Sequence, residues 1–134
     1  MNHNALALLL VASLLSVGAT STPRPGAMER LLHAHLVRSQ PAANDTLVAA
    51  PPVLRLWFSE KVELPITKVK LSDGRGAAVA LGALTRQDTG EQAPIVAPLG
   101  KPLAPGSYVV NWSTAARDGH PAKGSFAFVV RAAR

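Results

Sequence analysis

The sequence predicts an all-β protein built as a sandwich of two sheets from about seven short strands. Three observations carry this expectation. In the C-terminal third, Tyr108, Val110 and Trp112 recur at every second position, and Phe126, Phe128 and Val130 do the same beyond a polar loop. Two half-buried strands sharing one core produce that pattern. Val53–Phe58 alternates in the same way, with Leu54, Leu56 and Phe58 on one face and Arg55 and Trp57 on the other. Pro, Gly, Asn and Asp punctuate the intervals, and no helical periodicity follows the N-terminal apolar stretch.

Ala5 to Val17 is a run of uncharged Ala, Leu, Val and Ser. It is too short to cross a bilayer and fits the apolar region of a secretory signal, with Val17-Gly18-Ala19 as the small-residue cleavage pattern. Residues 1–19 are therefore read as a signal peptide, with an uncleaved N-terminal anchor as the alternative. Residues 20–32 form a Pro- and Gly-bearing lead-in, and 33–134 form the folded domain. After removal of the signal no segment is apolar enough to span a membrane.

Leu36 to Ser39 is expected as a short edge strand closed by Gln40-Pro41, and Ala42 to Pro52 as a turn and extended connection. Ser59-Glu60-Lys61 ends the Val53–Phe58 strand. Ile66 to Leu71 alternates apolar residues with Thr or Lys, which predicts a half-buried strand with Lys68 and Lys70 outward. Ser72 to Gly76 is a hairpin-like turn into Ala77 to Leu81. Leu84 to Glu91 has no pattern, Ala93 to Ala97 is a short strand, and Gly100 to Gly106 is a Pro-rich turn. In the final hairpin Asp118-Gly119 supplies the turn, and Pro121 is expected to keep the loop out of the second strand's ladder.

The chain has no cysteine. That excludes thiolate metal sites, Cys nucleophiles and disulfides, so an exported domain must rely on its core alone. The formal net charge is +6, yet the 14 Lys and Arg residues are scattered singly without interleaved aromatics. Anionic lipid or polymer suits such a surface better than nucleic acid, which is not expected as a partner. No phosphate-binding Gly-rich loop or Gly-x-Ser-x-Gly elbow is present, and Ser125 lies within a strand, so a Ser-His-Asp triad has no support.

Beyond the signal the imidazoles are His33, His35 and His120, the last beside Asp118 at the tip of the hairpin loop. If the start of the domain lies at the same end of the sandwich as that loop, two imidazoles and a carboxylate converge. Such N and O donors in a square-like arrangement suit Cu(II), whereas Zn(II) favours a tetrahedron with further imidazoles or thiolates. A metal is bound by neutral imidazole, so affinity is expected to fall below about pH 6.5, the ordinary range for histidine. The same residues are also ordinary turn chemistry, in which Asp118 bonds its own backbone and His120 is a solvated loop residue.

Four segments resemble the CopC family of periplasmic copper-resistance proteins. They are His33-Ala-His-Leu-Val-Arg-Ser-Gln-Pro-Ala, Leu56-Trp-Phe-Ser-Glu-Lys-Val-Glu63, Pro102 to Trp112, and Asp118-Gly-His-Pro-Ala-Lys-Gly-Ser-Phe-Ala-Phe-Val129. They occur in order and span essentially the whole domain. The resemblance implies a seven-stranded Greek-key, immunoglobulin-like β-sandwich in the periplasm that binds Cu(II) as a carrier or buffer in copper resistance and homeostasis, and is not an enzyme. It places metal ligands at His33, Asp118 and His120. In the family the residue matching His33 is typically the mature N-terminus and gives its α-amine as well. Cleavage after Ala19 would leave an amide there, which binds Cu(II) only after losing its proton, and His35 is then the nearest further donor. Some relatives carry a Met-rich loop for Cu(I), but here Met28 is the only methionine after the signal, so a dedicated Cu(I) site is not expected. Glu60 is placed to accept a hydrogen bond from a ligand imidazole and fix its tautomer, or else is a solvated strand-end carboxylate. The copper ion is the expected partner, together with a separate inner-membrane copper transporter or other copper-handling protein. Two rival readings are a histidine-brace copper oxidase acting on a polymer, which needs a free amine at His33, and a metal-free envelope interaction module.

Overall fold

A computed structural model describes residues 33–90 and 92–132. The expectations for the signal, the lead-in and Met28 fall outside the described residues. Strands β1 (Leu36–Gln40), β3 (Val53–Phe58), β7 (Ile95–Pro98) and β6 (Thr85–Arg86) form the smaller sheet, in the order β1-β3-β7-β6. Strands β2 (Thr46–Leu47), β9 (Pro121–Val130), β8 (Gly106–Ala115), β4 (Lys68–Asp73) and β5 (Ala78–Val79) form the larger sheet, in the order β2-β9-β8-β4-β5. The only helical piece among the described residues is a 3-10 turn at Leu64–Ile66. The chain passes repeatedly between the sheets, giving the β-sandwich the sequence predicts with the Greek-key connections that the resemblance implies. Among the described residues nine ladder segments are present, two more than the seven expected: β2 and β6, each two residues long, lie where the sequence predicts no strand.

The core follows directly from the alternation. Leu54, Leu56 and Phe58 of β3 and Ile95 and Ala97 of β7 face Leu71, Tyr108, Val110, Trp112, Phe126, Phe128 and Val130 of the larger sheet, all buried. Phe58 meets Trp112 edge to face across the two sheets with ring centroids 5.2 Å apart. Tyr108 stacks on Phe128, its partner in the β8–β9 ladder, and its hydroxyl donates to the Ala104 carbonyl at 2.7 Å. That bond satisfies the one polar atom of an otherwise buried ring.

Some boundaries differ from expectation. Ile66 is half-exposed in the 3-10 turn, and the strand begins at Lys68. Pro65 in that turn lacks an N–H for a ladder, so the alternation Ile66-Thr67 continues a pattern that the backbone does not. Pro121 opens β9 opposite Ala115 rather than standing outside it, a position where a missing donor costs little. The connection after β1 contains β2, which pairs parallel to β9 at Thr46↔Val129 and Leu47↔Val130. The unpatterned stretch contains β6, paired with β7.

Gly124 faces inward opposite Trp112, and a Cβ there would stand 2.6 Å from Trp112 Cζ2. The glycine makes room for the indole. Gly124→Ala is expected to destabilise the fold by about 1–3 kcal/mol through overpacking, measured as a lowered midpoint in thermal unfolding.

Candidate metal centre

The β8–β9 connection, Ala116 to His120, is pinned at both ends. Ala116 N–H donates to the His120 carbonyl at 3.2 Å, and Gly119 N–H to the Ala116 carbonyl at 2.9 Å. Gly119 has φ 84°, a conformation that glycine adopts without steric cost. A bridge between Val62 and Ala116 and a bond from Glu63 N–H to the Ala115 carbonyl fix the loop to the segment after β3. Thr67 Oγ1 donates to the Glu63 carbonyl at 2.7 Å. Its contact with Thr114 Oγ1, also 2.7 Å, therefore has Thr114 as donor, a buried pair that steadies the same segment.

The segment before β1 reaches this loop from the other sheet. His35 N–H donates to Ser59 Oγ at 3.1 Å and Ser59 N–H to the His35 carbonyl at 2.9 Å, which continues the β1–β3 pairing one step. Ala34 is driven into the core, 3% exposed. His33 is thereby left half-buried at the rim, with its ring centroid 4.6 Å from that of His120.

One ligand atom each from His33, Asp118 and His120 lies within 4.8 Å of the others. Metal–nitrogen bonds are about 2 Å long, so donors sharing one ion stand about 3–4 Å apart, and small side-chain movements close the remainder. Asp118 Oδ1 accepts the His120 backbone N–H at 3.0 Å, and Asp118 Oδ2 lies 2.8 Å from His120 Nδ1. A carboxylate can only accept, so this contact puts the imidazole proton on Nδ1 and leaves the Nε2 lone pair for an ion. His33 Nδ1 is buried without a hydrogen-bond partner. Two imidazoles and a carboxylate at this separation fit a metal ion.

The remaining sequence candidates stand apart from this group. His35 is exposed, with Nδ1 3.3 Å from the His33 carbonyl oxygen. Glu60 is exposed at the end of β3 and makes no hydrogen bond to either imidazole; Asp118 itself takes the position of the carboxylate that orients His120. Beside the cluster runs a groove of about 650 Å³ lined by His33, Leu36, Trp112, Lys123 and Phe126, among others. Sequence reasoning assigned Trp112 to packing alone. The glycine opposite it was the signal that its ring reaches an open margin.

The Asp118 carboxyl is held below the ordinary aspartate value of 3.8, first by the His120 backbone N–H and then by the His120 side chain. A lowered carboxylate pKa contributes stability above the ordinary value, and that contribution is lost as pH falls through the lowered one. An NMR titration of the Asp118 carboxyl is expected to give a midpoint under 3.8. In His120→Ala the midpoint should rise only partway, because alanine keeps the amide that is the main cause.

Fold and site together define a class: a small β-sandwich with a cluster of N and O donors at the rim where a cross-sheet segment meets a hairpin loop. Residues 36–131 match the family model of the CopC domain, and the chain belongs to the CopC family. The match takes in Asp118 and His120 but begins after His33. Protein YobA of Escherichia coli strain K12 is 35% identical over 99 residues, 74% of this chain and 79% of that protein. The crystal structure of CopC from Methylosinus trichosporium OB3b superposes with a TM-score of 0.69 at 27% identity, covering 76% of this chain and 97% of that one. PcoC, described as a methionine-rich copper resistance protein from Escherichia coli, gives a TM-score of 0.64 at 30% identity, covering 74% of this chain and 99% of its own. No helix among the described residues is long and apolar enough to cross a membrane.

Proposed function

We propose that this protein binds one Cu(II) ion through His33, Asp118 and His120 and acts as a periplasmic copper carrier or buffer, without catalysing a reaction. The observation that carries the reading is the convergence of one ligand atom each from His33, Asp118 and His120 within 4.8 Å of one another. Copper-named members of the family add to it. Two imidazoles and a carboxylate are the borderline and hard donors that Cu(II) prefers. With two methionines in the whole chain, soft thioether binding of Cu(I) is a poor fit, in contrast to the methionine-rich PcoC. The fourth position falls to the His33 amine where processing exposes it, and otherwise to water or to His35. The copper-binding domain runs from His33 to the C-terminus, preceded by a signal at 1–19 and a lead-in at 20–32. Copper passes to a separate polypeptide, such as an inner-membrane transporter.

Open coordination at an exposed rim suits exchange of the ion with a partner. Native mass spectrometry of the exported protein with and without Cu(II) tests this reading. The expected result is a single added copper, with much lower occupancy in His120→Ala at the same copper concentration. Absence of copper uptake by the folded wild-type protein would refute it.

A further inference from the structure

The outward face of the larger sheet carries a second constellation, independent of the copper reading. The ladder register aligns Lys68 with Ser113 and Ser113 with Lys123 in one row, and Lys70 with Asn111 and Asn111 with Ser125 in the next. Strands lie about 4.8 Å apart and alternate residues about 7 Å apart along a strand. The Lys68 and Lys123 stems therefore stand about 10 Å apart across Ser113, with Lys70 about 7 Å along from Lys68. These six side chains line a shallow dish of about 510 Å³ whose lining contains no carboxylate.

Every one of the six can donate a hydrogen bond, and the ammonium groups can do nothing else. None of the three lysines enters an ion pair among the described residues, where the pair found is His120–Asp118. The nearest acid on these strands, Asp73, is occupied by the Arg75 and Ala77 amides of its own turn. Gathering like charges on one sheet face is destabilising, and a multiply charged anion would reverse the sign of that effect. The dish is held on β4, β8 and β9, and Trp112 and Gly124 complete its lining.

We propose that this dish binds a soluble ligand bearing a phosphate or diphosphate group, clamped by Lys68, Lys70 and Lys123 and hydrogen-bonded by Asn111, Ser113 and Ser125. Metal-free protein titrated with inorganic pyrophosphate at constant ionic strength should show saturable NMR shifts at these six residues. The triple variant Lys68→Gln, Lys70→Gln, Lys123→Gln should bind about tenfold more weakly while taking up Cu(II) with wild-type stoichiometry, which also reports that it folds. Equal binding by wild type and triple variant, or no saturable shift, would overturn the proposal. So would lysine-dependent binding to phosphatidylglycerol vesicles without any response to pyrophosphate, which would make the face a lipid-contacting one. Pyrophosphate binding by a protein that takes up no copper would sink the copper reading and leave this one standing.

Discussion

Replacing His120 with alanine is expected to lower Cu(II) affinity by more than about 100-fold, beyond the 10–100-fold cost of losing an outer partner of a metal ligand. The reason is geometric. His120 offers Nε2 to the ion, and its backbone N–H and Nδ1 engage both oxygens of Asp118. The variant loses a ligand and one of the two bonds that hold the carboxylate sharing the site. His33→Ala should lose a comparable amount, since its imidazole is the third donor of the cluster. His35→Ala should cost much less, because its Nδ1 lies against the His33 carbonyl oxygen and His35 is not among the three clustered donors. Competition titrations against a chelator of known affinity measure all three. A His35 variant as weak as the His120 variant would redraw the ligand set.

The second large effect concerns the fold. Phe128 is 1% exposed and stacks on Tyr108 with ring centroids 5.6 Å apart. Phe128→Ala is expected to cost about 3–5 kcal/mol in lost burial and an unfilled cavity. Domains of this size have only about 5–15 kcal/mol in total, and this chain has no cysteine to cross-link it. Urea unfolding should show a sharply reduced midpoint with an unchanged slope. Because Phe128 lies in the strand that follows the metal loop, the variant should also bind copper less tightly as the folded fraction falls.

Those two residues show what the sequence makes legible. Phe128 belongs to a period-two run, and one-sided burial writes that period into any strand long enough to repeat it; Val53–Phe58 was readable to the residue for the same reason. Strands β2 and β6 are two residues long, too short to carry any period, and only their ladder partners define them. Ile66 shows the opposite failure, an alternation that runs on into a turn containing Pro65. At the site, Asp118 and His120 stand out because turn chemistry places them side by side. Their meeting with His33 depends on Ala34 packing into the core and on the two bonds between His35 and Ser59, which are tertiary facts. The lysine rows are less legible still. Lys68 and Lys123 are far apart in the chain and come together only through the register of β4, β8 and β9.

Pulsed electron paramagnetic resonance of the Cu(II)-loaded protein tests the central claim most directly. Two imidazole nitrogens should couple to the copper, with one coupling missing in His33→Ala and the other in His120→Ala. A spectrum without imidazole coupling, or one that both substitutions leave unchanged, would contradict the site.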